Sequence, residues 1–166
     1  MLDELKDILS SLENSELFKS WYSSHKDSFL SSCFIVDEQG WQLAFYSPKR
    51  NKISTFLKDR LIQSDSAIFK LDKERVKQLN LEEVKIDKQQ ALDIAEKEFN
   101  EKQPGTKIVK NIIVLQNLDN LTWNITYLTS SLFIFNIKID AISGSIISNE
   151  TISTILPGEK GKKKSK

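Results

Sequence analysis

Leu121, Trp123, Ile125 and Tyr127 alternate with Thr122, Asn124 and Thr126. A period of two sends successive side chains to opposite faces, so this stretch is expected to be a strand with one buried face. Phe133, Phe135, Ile137 and Ile139 repeat the pattern against Ile134, Asn136, Lys138 and Asp140. A pair of such strands cannot bury its apolar face alone, so a second layer is required. The segment before them supplies it. Asp87 is an expected helix N-cap, with Gln90 three residues on as in a capping box. Ala91, Leu92, Ile94, Ala95 and Phe99 then fall on one helical face, and Pro104-Gly105 ends the helix.

The remaining elements of this half are strands and turns. Ile108 to Gln116 reads as a long strand and Asn117 to Asn120 as a polar turn. Asp140 can bond turn amides, and Gly144 can take a positive φ, so Asp140 to Gly144 is a tight turn. Ile146-Ile147 opens a last, short strand, and Pro157-Gly158 marks the end of regular structure.

The first half follows a similar order. Leu2, Leu5, Ile8, Leu9 and Leu12 share a helical face. Asn14-Ser15 breaks it and offers a second N-cap. Leu17, Phe18, Trp21 and Tyr22 continue an apolar stripe to about His25. Strands are expected at Phe29 to Asp37, at Trp41 to Tyr46 and at Ile53 to Leu57, with turns at Glu38-Gln39-Gly40 and Ser47 to Asn51. Beyond residue 58 the pattern weakens. Ala67 to Leu71 is read as a short strand, Asp72 as the cap of a short helix through Val76 and Leu79, and Leu81 to Ile86 as a linker adding an edge strand. Trp41 to Phe45 aligns with Trp123 to Tyr127 at an offset of about 80 residues, judged as an internal repeat. Two readings stand: a degenerate tandem repeat, or two α+β segments alike by chance.

The Ala91 to Ala95 helix, Trp123 in a central strand, and the Asp140-Ala141 to Gly144 turn together resemble a PepSY domain across residues 82–150. Residues 15–58 follow the same order without the terminal Asp/Gly turn. The resemblance implies a helix packed on a small antiparallel sheet, and a non-catalytic module of the kind found in peptidase propeptides and cell-envelope proteins. The expected fold is therefore α+β, a helix on an antiparallel sheet, as two tandem PepSY-like units. The expected division is residues 1–80, residues 81–157 and a Lys-rich tail at 158–166.

No reaction chemistry is announced. His25 is the single histidine and Cys33 the single cysteine, too few for a structural zinc site. Cys33 lies in an apolar strand, where a cysteine packs as a small hydrophobe. His25 is read as a helix-end histidine. No glycine-rich phosphate loop occurs. Glu82-Glu83 and Asp119 are read as solvated acids, and the Asn120, Asn124 and Asn149 glycosylation patterns as chance matches. No catalytic, metal or cofactor residues are therefore assigned. The start of the chain is charged from Asp3 onward and carries no export signal pattern. No apolar run approaches the length of a membrane span. A cytoplasmic location is expected, unless a signal has been removed.

Two features point to binding. Trp21 and Tyr22 are adjacent, so a helix cannot turn both inward, and an exposed aromatic is a frequent interface anchor. The edges of a small open sheet also invite strand addition by a partner. A protein partner is the leading expectation. The alternative is a nucleic-acid-associated protein using Lys160, Lys162, Lys163, Lys164 and Lys166. Those five lysines, with Glu159, create the net charge of +1; the rest holds 19 basic and 22 acidic residues. Such a body is a poor phosphate binder, and a lysine tail alone would bind weakly and salt-sensitively. A solubilising end is the competing reading of the tail.

Overall fold

The computed structural model describes residues 2–57, 60–64 and 76–154. Among these residues three helices, α1 (Leu2–Glu13), α2 (Glu16–Tyr22) and α3 (Lys88–Lys102), lie with eight strands: β1 (Phe29–Val36), β2 (Gln42–Ser47), β3 (Lys52–Leu57), β4 (Arg60–Ser64), β5 (Ile108–Asn117), β6 (Leu121–Thr129), β7 (Phe133–Asp140) and β8 (Ile146–Ser153). The strands form one sheet in the order β4-β3-β2-β1-β5-β6-β7-β8, and every described pairing is antiparallel.

Each half of the chain is a four-strand meander preceded by helix. The two meanders meet through their first strands, where Cys33 lies opposite Leu115. The strand order therefore reads the same outward from that seam in both directions. Asp37 clamps one end of it: its amide donates to the Asn111 carbonyl (2.8 Å) and its carboxylate accepts from the Asn111 amide (2.9 Å). Trp41 and Trp123, the residues that align in sequence, approach to 6.4 Å between ring centroids.

Cross-strand register sorts the side chains into two faces. Phe56 opposes Leu43, Leu43 opposes Cys33, Cys33 opposes Leu115, and Leu115 opposes Trp123. All five are buried, as are Tyr127 and Phe135 further along the same face. The helices cover this face. α2 sets Phe18 and Trp21 against Phe45 and Phe56. α3 lies over β6 and β7, with Ala91, Ala95 and Phe99 turned inward. Two alanines at a spacing of four let the helix approach the sheet closely, and Phe99 fills the gap with edge-on contacts to Tyr127 and Phe135. On the opposite face of β6 and β7 the Asn136 amide donates to Asn124 Oδ1 (2.6 Å) and to Thr126 Oγ1 (2.9 Å), while Lys138 donates to Asn136.

The local signals act where the sequence placed them. Ser15 caps α2 by accepting from the Phe18 amide. Asp87 and Gln90 form a complete capping box. Asp140 Oδ1 accepts from the Ile142 and Ser143 amides, both at 2.8 Å, and Gly144 takes φ +83°. The Trp123 indole donates to the Ile86 carbonyl (2.7 Å), which ties the entry of α3 to the sheet.

Three expectations differ from the structure. Residues 81–86 add no strand: Leu81–Glu83 is a 3-10 turn capped by Asn80, and the Lys85 and Ile86 amides both donate to the Ala141 carbonyl. A pair of bonds to one carbonyl pins the segment but cannot start a ladder. Val76 and Leu79 are not helical; the Leu79 amide instead donates to the Leu30 carbonyl (2.8 Å) and its side chain joins the core. The last strand is not short, because β8 runs eight residues along β7. The strand expected at Ala67 to Leu71 and the cap at Asp72 lie outside the described residues.

Candidate functional site

α1 is amphipathic, but its inward face rests chiefly on Leu5 and Leu12, while Ile8 and Leu9 are only partly buried. It runs directly into α2 through Asn14-Ser15, so its position is set by the α1–α2 corner. The space beside it is open on both flanks. On one side a groove of about 590 Å3 lies between α1, α2, the start of β1 and residues 78–82. On the other, a groove of about 670 Å3 is lined by Ile8, Leu12, Leu17, Leu43 and Phe56, with Glu4 and Asp7 at its rim. Volumes of this size match ordinary ligand clefts.

The first groove has the richer chemistry. Leu9, Phe18, Leu30, Phe45 and Leu79 supply apolar surface. Tyr22 stands at its border, 38% exposed and stacked on Phe18 with ring centroids 5.6 Å apart. Lys6 and Glu82 pair across it at 3.1 Å. Glu13 closes α1 with no ion pair or hydrogen bond among the described residues. Its side chain is exposed, yet partial desolvation against the groove raises its carboxyl above the ordinary value. The negative end of the helix dipole acts in the same direction, and the last turn of α1 holds no basic residue to offset it. Ser28 also lines the groove, with its hydroxyl buried and without a partner.

The adjacent aromatics divide as helical geometry requires. Trp21 is buried at 7% exposure within the Phe18, Phe45 and Phe56 cluster, so it is not available as a contact residue; Tyr22 is the exposed member. Lys160, Lys162, Lys163, Lys164 and Lys166 lie outside the described residues. Sequence reasoning does not single out Glu13 or Ser28. The one available signal is an acid in the last turn of a helix with no base beside it.

A second surface is the outer side of β8 from Ile146 to Ile152. This strand ends the sheet, with β7 its one strand neighbour among the described residues. Ile147 and Ile152 are about half exposed and Ile146 nearly so. Proteins usually blunt such an edge with lysine, proline or bulges. β8 has an irregularity near Ile146–Ser148 and a single charged residue, Glu150.

The candidate reactive residues are occupied otherwise. The Cys33 thiol is pushed up to about 12 by burial, so almost none is thiolate near neutral pH. His25 stacks on Trp21 at 4.5 Å, with Nδ1 2.8 Å from the Trp21 carbonyl. That geometry makes Nδ1 a donor and the ring a helix-end cap. The Tyr127 hydroxyl is buried beneath α3 without a partner, and desolvation, followed by the charge of Glu96, raises its pKa. No group of three or more metal-ligating side chains occurs among the described residues. No described helix is long and apolar enough to cross a membrane.

The fold and its surfaces define a helix-on-sheet α+β module with an open groove and an open edge. Residues 85–150 match the family model described as the peptidase propeptide and YPEB domain, PepSY. That stretch, α3 with β5 to β8, is a PepSY domain. Among curated proteins none matches the chain. A solved structure similar to the chain is that of a candidate lipoprotein from Clostridium difficile 630, with 18% identity, a TM-score of 0.49, and coverage of 82% of this chain and 90% of the other.

Proposed function

We propose that the protein is a non-catalytic protein-binding module, whose PepSY half engages an extended segment of a partner by strand addition at β8. The observation that carries this reading is the edge from Ile146 to Ile152, with Ile146, Ile147 and Ile152 in solvent. Main-chain bonds along such an edge supply affinity, and alternate side chains supply selection. The family's description as a propeptide domain agrees with a role in contacting another protein. The two halves are read as copies of one unit, supported by the mirrored strand order and the Trp41/Trp123 correspondence.

The test is capture of partners from the native host's lysate by the unaltered chain and by Ile147→Lys/Ile152→Lys. Both positions are exposed, so the double variant is expected to keep its melting temperature to within a few degrees. A protein retained by the unaltered chain and lost with the variant supports the reading. Equal recovery by both removes β8 from it.

A further inference from the structure

The groove beside α1 ends at an exposed carboxylate, Glu13, that no described cation meets. Lys6 is already held by Glu82, whereas Glu13 faces the same cleft with no cation among the described residues. Glu13 also sits where the α1 carbonyls concentrate negative potential. The buried Ser28 hydroxyl adds a hydrogen-bonding group without a partner. Between these polar points the lining is Leu9, Phe18 and Leu79. Lys6 and Glu13 are seven residues apart on one helix, about 10 Å along its axis. An extended chain covers that distance in roughly three residues. A compact amine would satisfy Glu13 but leave the apolar floor uncovered.

We propose that this groove binds an extended peptide segment of a partner protein that places an arginine or lysine at Glu13 and an apolar neighbour over Leu9 and Leu79. It rests on the binding-module reading but not on the β8 edge, so each can fail alone. The basic side chain would meet Glu13 and the end of α1 together, and its aliphatic stem would lie on the apolar wall. Tyr22, stacked on Phe18 at the border, supplies a rigid aromatic flank for it.

Glu13 also gives a signature that separates binding from folding. Its folded-state pKa is raised. The stability linked to it is thus fully present below the ordinary glutamate pKa and is lost as pH rises through the folded value. At neutral pH, therefore, Glu13→Gln keeps or slightly raises the melting temperature, while it removes the charge that binding needs.

The experiment is a 15N amide-shift titration of the full chain with acetyl-Gly-Leu-Arg-Leu-Gly-amide and with its counterpart carrying glutamine for arginine. The arginine peptide is expected to move amides of α1, Ser28 to Leu30 and Leu79, and to bind about three- to tenfold more tightly than the glutamine peptide. Glu13→Gln should erase that preference without loss of stability. An undiminished preference in Glu13→Gln, shifts confined to β8, or no binding of either peptide would overturn the proposal. Shifts confined to β8 would at the same time support strand addition there.

Discussion

α3 and α1 open the two halves of the molecule, yet they are seated differently. α3 has a full capping box, two alanines and a phenylalanine buried almost completely, and a tryptophan bond at its entry. α1 buries two leucines, only Leu5 of them completely, and leaves a groove on each flank. Both halves present the same strand order to their helices. The difference lies in side-chain size and spacing: Ala91 and Ala95 allow contact with the sheet, whereas α1 meets it through Leu5 and Leu12 with partly buried Ile8 and Leu9 between. The PepSY half therefore acts as the consolidated scaffold, and the first half carries the cleft.

The strongest way to break this comparison is truncation under each helix. Phe99→Ala should cost about 3–5 kcal/mol, because its ring is enclosed by Tyr127 and Phe135 and the cavity cannot collapse against them. Leu9→Ala, on a groove wall, should cost only about 1 kcal/mol. Denaturant unfolding measures both, and similar costs would remove the distinction.

A smaller effect separates two glycines. At Gly144 the φ of +83° disfavours a side chain, and a Cβ would lie 3.4 Å from Ile86 Cδ1 and 3.6 Å from Ile94 Cδ1. Gly144→Ala should cost roughly 1–2 kcal/mol. Gly40, in the corresponding first half, would meet only Leu57 Cδ1 at 3.8 Å. Gly40→Ala should change stability by less than about 0.5 kcal/mol. Thermal melts of the two variants sharpen the claim that tight packing belongs to the second half.

How much of the molecule is legible in the sequence differs between the halves for the same reason. Around Asp87, Trp123 and Asp140 each local preference agrees with the tertiary role, so caps, alternation and turn chemistry can be read from the residues alone. Alternation also places β2, and the turn residues from Ser47 to Asn51 mark where β3 begins. The stretch after residue 58 lacks such agreement. Its residues do not announce β4, and Leu79 reads as helical although its amide completes a bond to Leu30. The continuity of the two meanders through Cys33 and Leu115 is a long-range pairing that no local pattern encodes. The groove is invisible in sequence for a related reason: it arises from space left between elements, and only Glu13, set against its helix dipole, hints at it.

The smallest expected effect is acid sensitivity. Asp140 is held below the usual carboxylate range by the Ser143 amide first and the Ile142 amide next. Asp27, in the first half, is lowered by the Lys49 amide and the Ser47 hydroxyl. Depressed folded values stabilise the fold above about pH 4, and that contribution is lost as pH falls through the folded pKa. Both groups are near the surface, so each contributes only a few tenths of a kcal/mol. Asp140→Asn should flatten part of the stability loss between about pH 4 and pH 2. An unchanged acid limb in guanidinium titrations would show that Asp140 does not contribute.

The most direct measurement of the contrast is native-state amide hydrogen exchange. Interior amides of α3, from Leu92 to Phe99, should exchange at least about tenfold more slowly than those of α1 from Ile8 to Leu12. Protection of α1 equal to that of α3 would contradict the account, because a helix as firmly seated as its counterpart could not border an accessible groove.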